Sequence, residues 1–251
     1  MDRLKDLNLS DNLPEGLELV RDEKGLALVS EDQVMRGDYT KMINRVKQHA
    51  INKELLAKVA KIKGEEDLVA VDATAGLGED SLLLAAAGFK VIMFERNPVI
   101  YQLLCDTIQR AAEIPELTDI VACMYPHNMD SMEAMKIMAE GDADTIAQVF
   151  GGLLSKMPDV ILLDPMFPER QKSALVKKKL QMIQKLEIPC TDEMELLKTA
   201  MEVKPKKLVI KRPPKGPYLA GIKPDHSLQG KAVRFDCFVN PYDRIHKFEW
   251  D

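Results

Sequence analysis

The sequence predicts an α/β fold: a mostly parallel seven-stranded sheet with an antiparallel C-terminal strand, preceded by a small N-terminal appendage. Three observations support it. Strand-like and helical stretches alternate along most of residues 63–251, residues 226–240 hold two strand-like pieces with no helix between them, and residues 17–29 resemble a separate hairpin. Alternation of strand and helix indicates a parallel sheet covered on both faces. We therefore divide the chain into an appendage, residues 1–62, and a main domain, residues 63–251.

The appendage is predicted to contain a hairpin and a helical connector. In residues 17–29 (LELVRDEKGLALV), two apolar runs flank a turn at residues 22–25 that ends in glycine, a pattern typical of a hairpin. Across residues 39–61, apolar side chains recur at nearly helical spacing. This spacing predicts a single helical connector that leads into the main domain.

The main domain is predicted from its alternating elements. Strands are expected at residues 68–73, 90–95, 120–124, 160–164 and 208–211. Helices are expected at residues 80–87, 99–112, 131–140, 172–186 and 192–203. After these, a tight turn around Gly230 joins two strand-like pieces directly, so we expect the sheet to close with an antiparallel hairpin.

Composition limits the classes of protein to which the chain can belong. Its 251 residues, 46% of them hydrophobic, are enough to bury a sizeable core. The sequence holds no apolar run near the roughly 20 residues that span a bilayer, and its start lacks the order of a signal peptide, so we expect a cytoplasmic protein without a membrane partner. The four cysteines are far apart, which favours reduced thiols over a metal site.

A glycine turn between the first two main-domain strands predicts a cofactor site. In VAVDATAGLGEDSLLL, Asp72 ends the first strand, Gly76 and Gly78 form the turn, and Glu95 ends the next strand. Ligands of open α/β sheets bind beyond the carboxyl ends of the strands, where glycines permit close approach of the backbone. Glu95 can accept hydrogen bonds from two ribose hydroxyls. The turn lacks the G-x-G-x-x-G pattern, which favours a cofactor without phosphates; small residues that serve packing alone are the alternative.

The segment VILLDPMFPERQKSALVKKK predicts the reacting edge of the site. A strand leads to Asp164, and Pro165 stiffens the turn that presents Phe167. This resembles the (D/N)-P-P-(Y/F) loop of methyltransferases that act on exocyclic amines of bases, although Met166 replaces the second proline. In those enzymes the acid holds the amine and the aromatic ring stacks on the flipped base. The alternative is an aspartate that caps the next helix above a buried phenylalanine.

Several motifs together resemble one family. DATAGLGED, ERNP, LDPMFPERQKSALVKKK, VIKRP and RFD are similar to those of the ribosomal small subunit methyltransferase J family over roughly residues 65–240. The resemblance implies a class I S-adenosylmethionine-dependent fold and methylation of the N2 amine of a guanosine in 16S ribosomal RNA. It also implies cofactor contacts at Glu79 and Asp80, at Glu95 and Arg96, near Asp130 and Ser131, and at Asp164.

Two basic segments predict how a protein of net charge −5 binds RNA. RQKSALVKKK and KPKKLVIKRPPK contain five and six basic residues and no acid, and phosphate attraction depends on the local field. The predicted phosphate contacts are Arg170, Lys172, Lys177, Lys178, Lys179, Lys211 and Arg212. Two solvated lysine faces are the alternative.

Together with these residue patterns, the family resemblance implies an S-adenosylmethionine-dependent enzyme that methylates small-subunit ribosomal RNA, either naked or within an assembled subunit. His127 is left out of the catalytic set, because a single loop histidine is more often a surface or capping residue. Two rival classes remain. A methyltransferase for a small molecule or protein predicts an apolar lid in place of basic segments, and a non-catalytic RNA-binding protein predicts the loss of Glu95 or Asp164, which are both present.

Overall fold

The N-terminal appendage forms a small sheet of its own. The computed structural model describes residues 13–31, 33–150, 157–165, 186 and 192–248. Within them, β1 (Glu18–Asp22) and β2 (Gly25–Ser30) form the predicted hairpin, and a third strand that was not predicted, β3 (Gln33–Met35), pairs with β2. All pairings in this sheet are antiparallel. Leu28 and Met35 are fully buried and contribute to an apolar cluster with main-domain residues.

The connector is broken into short pieces, so the prediction of a single helix was wrong. A 3-10 helix (Tyr39–Met42) precedes α1 (Ile43–Val46), α2 (Gln48–Ile51) and α3 (Leu55–Ala60). The backbone is extended at Lys47 and Glu54, with ψ of 142° and 134°. These bends let the apolar side chains of all four pieces reach the main core. Because the connector shares that core, the domain boundary at residue 62 stays a prediction.

The main sheet has seven strands in the order β6-β5-β4-β7-β8-β10-β9. They are β4 (Val69–Asp72), β5 (Lys90–Phe94), β6 (Met124–His127), β7 (Val160–Leu163), β8 (Lys207–Arg212), β9 (His226–Gln229) and β10 (Arg234–Val239). Strands β4 to β8 pair in parallel, whereas β10 is antiparallel to both β8 and β9. This confirms the predicted seven-stranded sheet with an antiparallel C-terminal hairpin.

The sixth strand lies later in the chain than predicted. Residues 120–124 were expected to form it, but the apolar pair at Ile120 and Val121 belongs to a helical turn, and the strand begins at Met124. The strand contains Pro126 and lies at the edge of the sheet, where a missing backbone donor is tolerated. The helical turn therefore uses the apolar residues that suggested a strand.

Helices follow the main strands, and polar side chains cap several of them. They are α4 (Glu79–Ala86), α5 (Pro98–Ala112), α6 (Thr118–Val121), α7 (Ser131–Glu140), α8 (Ala143–Phe150) and α9 (Glu193–Glu202). Asn97, Asp130 and Asp192 accept backbone hydrogen bonds at the starts of α5, α7 and α9, which fixes where these helices begin. Helix α8 was not predicted, and the helix predicted at 172–186 lies outside the described residues apart from Leu186.

Alternating side chains of the main sheet contribute to two apolar cores. On one face, Ala70 and Val91 pack with α4 and the connector; on the other, Val71 and Ile92 pack with α7, α8 and α9. The parallel strands therefore end at a common edge, where the turns after β4, β5 and β7 meet. No helix among the described residues is long and apolar enough to cross a membrane.

Candidate active site

A cleft of about 350 Å³ opens at the carboxyl edge of the main sheet. Its walls come from residues 72–80 after β4, residues 94–96 at the end of β5, residues 129–132 before and within α7, and residues 164–165 after β7. Ile100, Leu196 and Lys211 complete the lining. The cleft is thus where open α/β sheets bind small ligands, and its volume lies in the range of such sites.

The glycine turn of the cleft depends on two left-handed residues. Gly76 and Gly78 have φ of +54° and +78°, a region that only glycine adopts readily. A Cβ at Gly76 would meet nothing within 4 Å, whereas one at Gly78 would lie 2.3 Å from Tyr39 Oη and 2.7 Å from Leu104 Cδ1. Tyr39 Oη donates to Leu77 O at 2.9 Å. The connector therefore supports the turn from below, and Gly76 leaves space beside the cleft.

Glu95 is fixed by backbone amides at the end of β5. Its Oε1 accepts from Asn97 N at 2.7 Å and its Oε2 accepts from Gly76 N at 3.1 Å. The residue is only 5% exposed. A carboxylate oxygen has two lone pairs, so Glu95 can order the turn and also accept hydrogen bonds from a ligand.

Asp72 is buried beneath the same turn. Its Oδ1 accepts from Thr74 N at 3.1 Å and its Oδ2 accepts from Ser81 Oγ at 2.5 Å. Burial raises the pKa of Asp72 to about 7, and the Ser81 hydrogen bond opposes that rise. With both oxygens bonded inside the protein, Asp72 acts on the shape of the turn more than on a ligand directly.

Asp130 has two tasks at the start of α7. Its Oδ1 caps the helix by accepting from Met132 N at 2.8 Å and Glu133 N at 3.4 Å. Its Oδ2 lies 4.0 Å from Arg96 Nη1. Asp130, Arg96 and Ser131 therefore meet at one wall of the cleft.

Asp164 lies across the cleft from this wall, directly after β7. Its backbone N donates to Thr74 Oγ1 at 2.7 Å, and its Oδ2 lies 3.0 Å from Lys211 Nζ. Burial raises the pKa of Asp164, and the Lys211 ammonium opposes that rise. Because 43% of the Asp164 side-chain surface is exposed, water in the cleft offsets part of the desolvation of its carboxylate. Asp164 is therefore a carboxylate that a ligand in the cleft can reach.

Lys211 forms a second ion pair, with Asp80 at the start of α4. Burial disfavours its ammonium form, but Asp164 and Asp80 outweigh this and raise the pKa of Lys211 above its usual value. Its neighbour Arg212 is 3% exposed, and its Nε donates to Pro217 O at 3.0 Å. The predicted phosphate contact at Arg212 is therefore not supported, since its guanidinium is inside the protein, and the charge of Lys211 is directed to two carboxylates.

Comparisons with known proteins agree with this geometry. A family model described as a putative SAM-dependent methyltransferase matches residues 3–240. The ribosomal RNA small subunit methyltransferase J of Pseudoalteromonas atlantica is 36% identical over 239 residues, covering 93% of this chain and 89% of that protein. That of Aeromonas salmonicida is 37% identical over 227 residues, covering 90% and 84%. The crystal structure of a SAM-dependent methyltransferase from Neisseria gonorrhoeae is 30% identical, with a TM-score of 0.69, covering 94% of this chain and 88% of that one.

The chain belongs to the ribosomal RNA small subunit methyltransferase J family. The family resemblance inferred from the motifs is thereby confirmed, as is the class I fold. The cofactor of this protein is S-adenosylmethionine.

The residues that line the cleft of this methyltransferase fit that cofactor. Six carboxylates and two cations face it, and both cations, Arg96 and Lys211, are paired with carboxylates. Such a surface attracts a sulfonium cation and repels a pyrophosphate. The space beside Gly76 admits a ligand close to the backbone. S-adenosylmethionine carries no phosphate, in agreement with the sequence prediction drawn from the glycine turn.

Most predicted site residues either line the cleft, Lys211 among them, or lie outside the described residues, and His127, which was left out of the catalytic set, belongs to neither group. The cleft brings together Asp72, Gly76, Gly78, Glu79, Asp80, Glu95, Arg96, Asp130, Ser131, Asp164 and Pro165. The predicted residues Phe167, Arg170, Lys172, Lys177, Lys178 and Lys179 lie outside the described residues. His127 does not line the cleft; its ring packs against Phe94 and Phe150, with centroids 5.8 and 6.0 Å apart, and burial lowers its pKa.

Sequence reasoning missed three contributors. Thr74 accepts from the backbone of Asp164, Ser81 donates to Asp72, and Tyr39 supports the turn from the connector. The sequence did contain a signal for the Ser81 contact. Asp72 ends a strand and Ser81 follows nine residues later, in a helix that packs back over the turn. The Tyr39 contact had no such signal, because 38 residues separate it from Leu77.

Proposed function

We propose that this methyltransferase transfers a methyl group from S-adenosylmethionine to the exocyclic N2 amine of a guanosine in small-subunit ribosomal RNA. The observation that carries the proposal is the Asp164 carboxylate, presented to the cleft opposite the wall formed by Arg96 and Asp130 and followed by Pro165. The names of relatives that are 36% and 37% identical supply the RNA class. Since small subunits are assembled in the cytoplasm, we place the activity there.

The cofactor side of the site follows from the fixed carboxylates. We assign Glu95 to the ribose hydroxyls, because two backbone amides hold its oxygens at the end of β5. Asp130 is assigned to the adenine amine, since Arg96 and two helix amides orient it. Gly76 allows the turn to approach the ligand. When bound, S-adenosylmethionine supplies an electrophilic methyl group.

The N2 amine of guanine is a poor nucleophile because its lone pair is delocalised into the ring. Methyl transfer to this amine therefore requires catalysis. Asp164 can accept a hydrogen bond from this amine, which aligns the lone pair and stabilises the positive charge that develops on nitrogen. The proton can leave after methyl transfer, so a strong base is not required. Asp164 therefore needs to be ionised and correctly placed.

The RNA side of the proposal rests on sequence. Phe167 is proposed to stack on the extruded guanine, as aromatic residues do with unpaired bases. The basic residues Arg170, Lys172, Lys177, Lys178 and Lys179 are proposed to contact the phosphates. Both features follow Asp164 in the chain by fewer than twenty residues, which favours a substrate surface beside the reacting edge.

A methyl-transfer assay tests this function. Tritium transfer from labelled S-adenosylmethionine should be measured on naked small-subunit RNA and on assembled subunits that lack the modification. As a control, calorimetry with S-adenosylmethionine alone checks that the purified protein binds its cofactor. We expect transfer to at least one of the two RNA substrates. Cofactor binding without transfer to either of them would contradict an RNA substrate and favour a small molecule or protein.

A further inference from the structure

We propose that Lys211 is a positioning residue for methyl transfer, which bridges Asp164 to Asp80 and so holds the Asp164 carboxylate ionised and directed at the substrate amine. This inference rests on the proposed function. It gives Lys211 a task different from the phosphate contact that the sequence predicts.

The bridge joins two separate parts of the cleft. Asp164 follows β7 and Lys211 is in β8, and the parallel register that pairs Leu163 with Ile210 puts the next residues side by side. Lys211 Nζ lies 3.0 Å from Asp164 Oδ2 and also contacts Asp80 in the first turn of α4. That turn follows Gly78 directly. Lys211 thus links the reacting carboxylate to the loop that approaches the cofactor.

The surroundings of Lys211 favour a bridge over a phosphate contact. Its side chain is 29% exposed, less than that of the Asp164 it holds. Two carboxylates near one ammonium leave the group with a net charge of −1. Such a group repels phosphate and attracts the sulfonium of the cofactor. A lysine that bound the RNA backbone would instead present its ammonium to solvent, free of carboxylates.

The bridge also determines the charge state of Asp164. The charged groups that face this carboxylate are Lys211 and Arg212 from β8 and Asp80 from α4, while Asp72 lies beneath the neighbouring turn. Burial and Asp80 raise the pKa of Asp164, and Lys211 opposes both. Without Lys211 the pKa of Asp164 should rise further, so the ionised form that accepts the amine hydrogen would be lost at a higher pH.

The bridge leaves room for the substrate. Within the described part of the chain, Lys211 takes Oδ2 of Asp164, while the backbone N of Asp164 is held by Thr74 Oγ1 at 2.7 Å. The residue is therefore fixed at its main chain and at one oxygen. No hydrogen bond or ion pair to another described residue engages Oδ1, so an amine that enters from the cleft can donate to its lone pairs.

Single-turnover kinetics test the proposal with three variants. Methyl transfer at saturating RNA and cofactor should be measured from pH 6 to 9 for wild type, Lys211→Ala, Lys211→Arg and the control Lys223→Ala. The control removes an exposed lysine that does not line the cleft. We expect Lys211→Ala to lower the rate at neutral pH about tenfold, with its acidic limb moved up by about one pH unit. Lys211→Arg should restore most of the rate, and Lys223→Ala should match wild type.

Two results would overturn the proposal. One is a Lys211→Ala rate and pH profile equal to those of wild type. The other is a loss confined to RNA affinity, with a smaller salt dependence of RNA binding, because that is the signature of a phosphate contact. Thermal unfolding of each variant separates these results from a general loss of folding, and Lys211→Arg supplies the kinetic test if Lys211→Ala fails to fold.

A second measurement needs no RNA and so separates this proposal from the proposed function. The Asp164 carboxyl should be titrated by carbon-13 NMR of labelled aspartates in the cofactor-bound protein, with Asp164→Asn to assign the signal. We expect Asp164 to titrate at a higher pH in Lys211→Ala than in wild type. An unchanged titration in Lys211→Ala would overturn the role of Lys211. If the titration shifts in Lys211→Ala but the wild-type protein fails to methylate RNA, only the RNA substrate is overturned.

Discussion

The two acidic edges of the cleft are held in different ways. At the first edge, Asp72 and Glu95 are bonded to backbone amides and a buried hydroxyl, within or beside the turn itself. At the second edge, the carboxylate of Asp164 is held by the side chain of Lys211. The first arrangement is fixed once the turn folds, whereas the second depends on charge. From this difference we propose that the first edge binds the cofactor and the second edge serves the reaction.

The largest effect is expected at the second edge. Asp164→Asn keeps the shape of the side chain but removes its charge, so the single-turnover rate of methyl transfer should fall by about a hundredfold or more. The affinity for S-adenosylmethionine, measured by calorimetry, should fall much less than the rate, because Asp164 is one of six carboxylates that line the cleft. The exposed Asp119→Asn serves as a matched control. Turnover equal to that of wild type would show that the charge of Asp164 is not used.

Alanine substitutions at Gly76 and Gly78 compare the stability lost at a glycine beside open space with that lost at a tightly packed one, both at the first edge. Gly78→Ala combines a left-handed backbone with contacts to Tyr39 and Leu104 below 3 Å, so it should lower the free energy of unfolding by about 2 to 3 kcal/mol. Gly76→Ala meets no neighbour within 4 Å and should cost about 1 kcal/mol. Urea unfolding measures both. Equal losses would contradict the different surroundings of the two glycines.

The loss of Glu95 should weaken cofactor binding without abolishing the reaction. Glu95→Ala removes the proposed ribose acceptor and leaves the amides of Gly76 and Asn97 without their carboxylate. We expect cofactor affinity to fall about tenfold or more, while the rate at saturating cofactor changes much less than in Asp164→Asn. Calorimetry measures the affinity, with exposed Glu113→Ala as the control. Affinity within twofold of wild type would rule out the ribose assignment.

The smallest effect concerns pH and the buried Asp72. Its pKa in the folded protein is about 7, above the usual 3.8, so between these values the folded state retains a proton that the unfolded state has released. The free energy of unfolding should therefore fall as pH rises from about 4 to 7, by roughly 1 kcal/mol or more. Asp72→Asn should remove this contribution. Urea unfolding at pH 5 and pH 7.5 checks it, and identical pH dependence of variant and wild type would contradict it.

The first edge could be predicted from sequence because its contacts are local. Asp72 and Gly76 belong to one turn, and Glu95 ends the following strand, so periodicity and strand endings were enough to place them. The second edge could be predicted only in part. The position of Asp164 followed from its strand, but the task of Lys211 depends on the pairing of β7 with β8 and on α4 reaching the same place.

Errors in the predicted fold have similar causes. Apolar residues at Ile120 and Val121 suggested a strand, but a helical turn uses them and the strand follows at Met124. The connector has helical spacing, yet it bends at Lys47 and Glu54 so that its apolar side chains can reach the main core. In both places tertiary packing outweighs the local pattern. The third appendage strand has only three residues, too few for a periodic signal.

The identity of the methylated atom is the most direct test of the account. RNA methylated in vitro by wild-type protein should be digested to nucleosides and analysed by mass spectrometry against methylguanosine standards, with Asp164→Asn as a parallel sample. The account predicts N2-methylguanosine from the wild type and at most a trace of it from Asp164→Asn. A methyl group on a ring nitrogen, on a ribose or on another base would contradict it, because the Asp164 edge is proposed to hold an exocyclic amine.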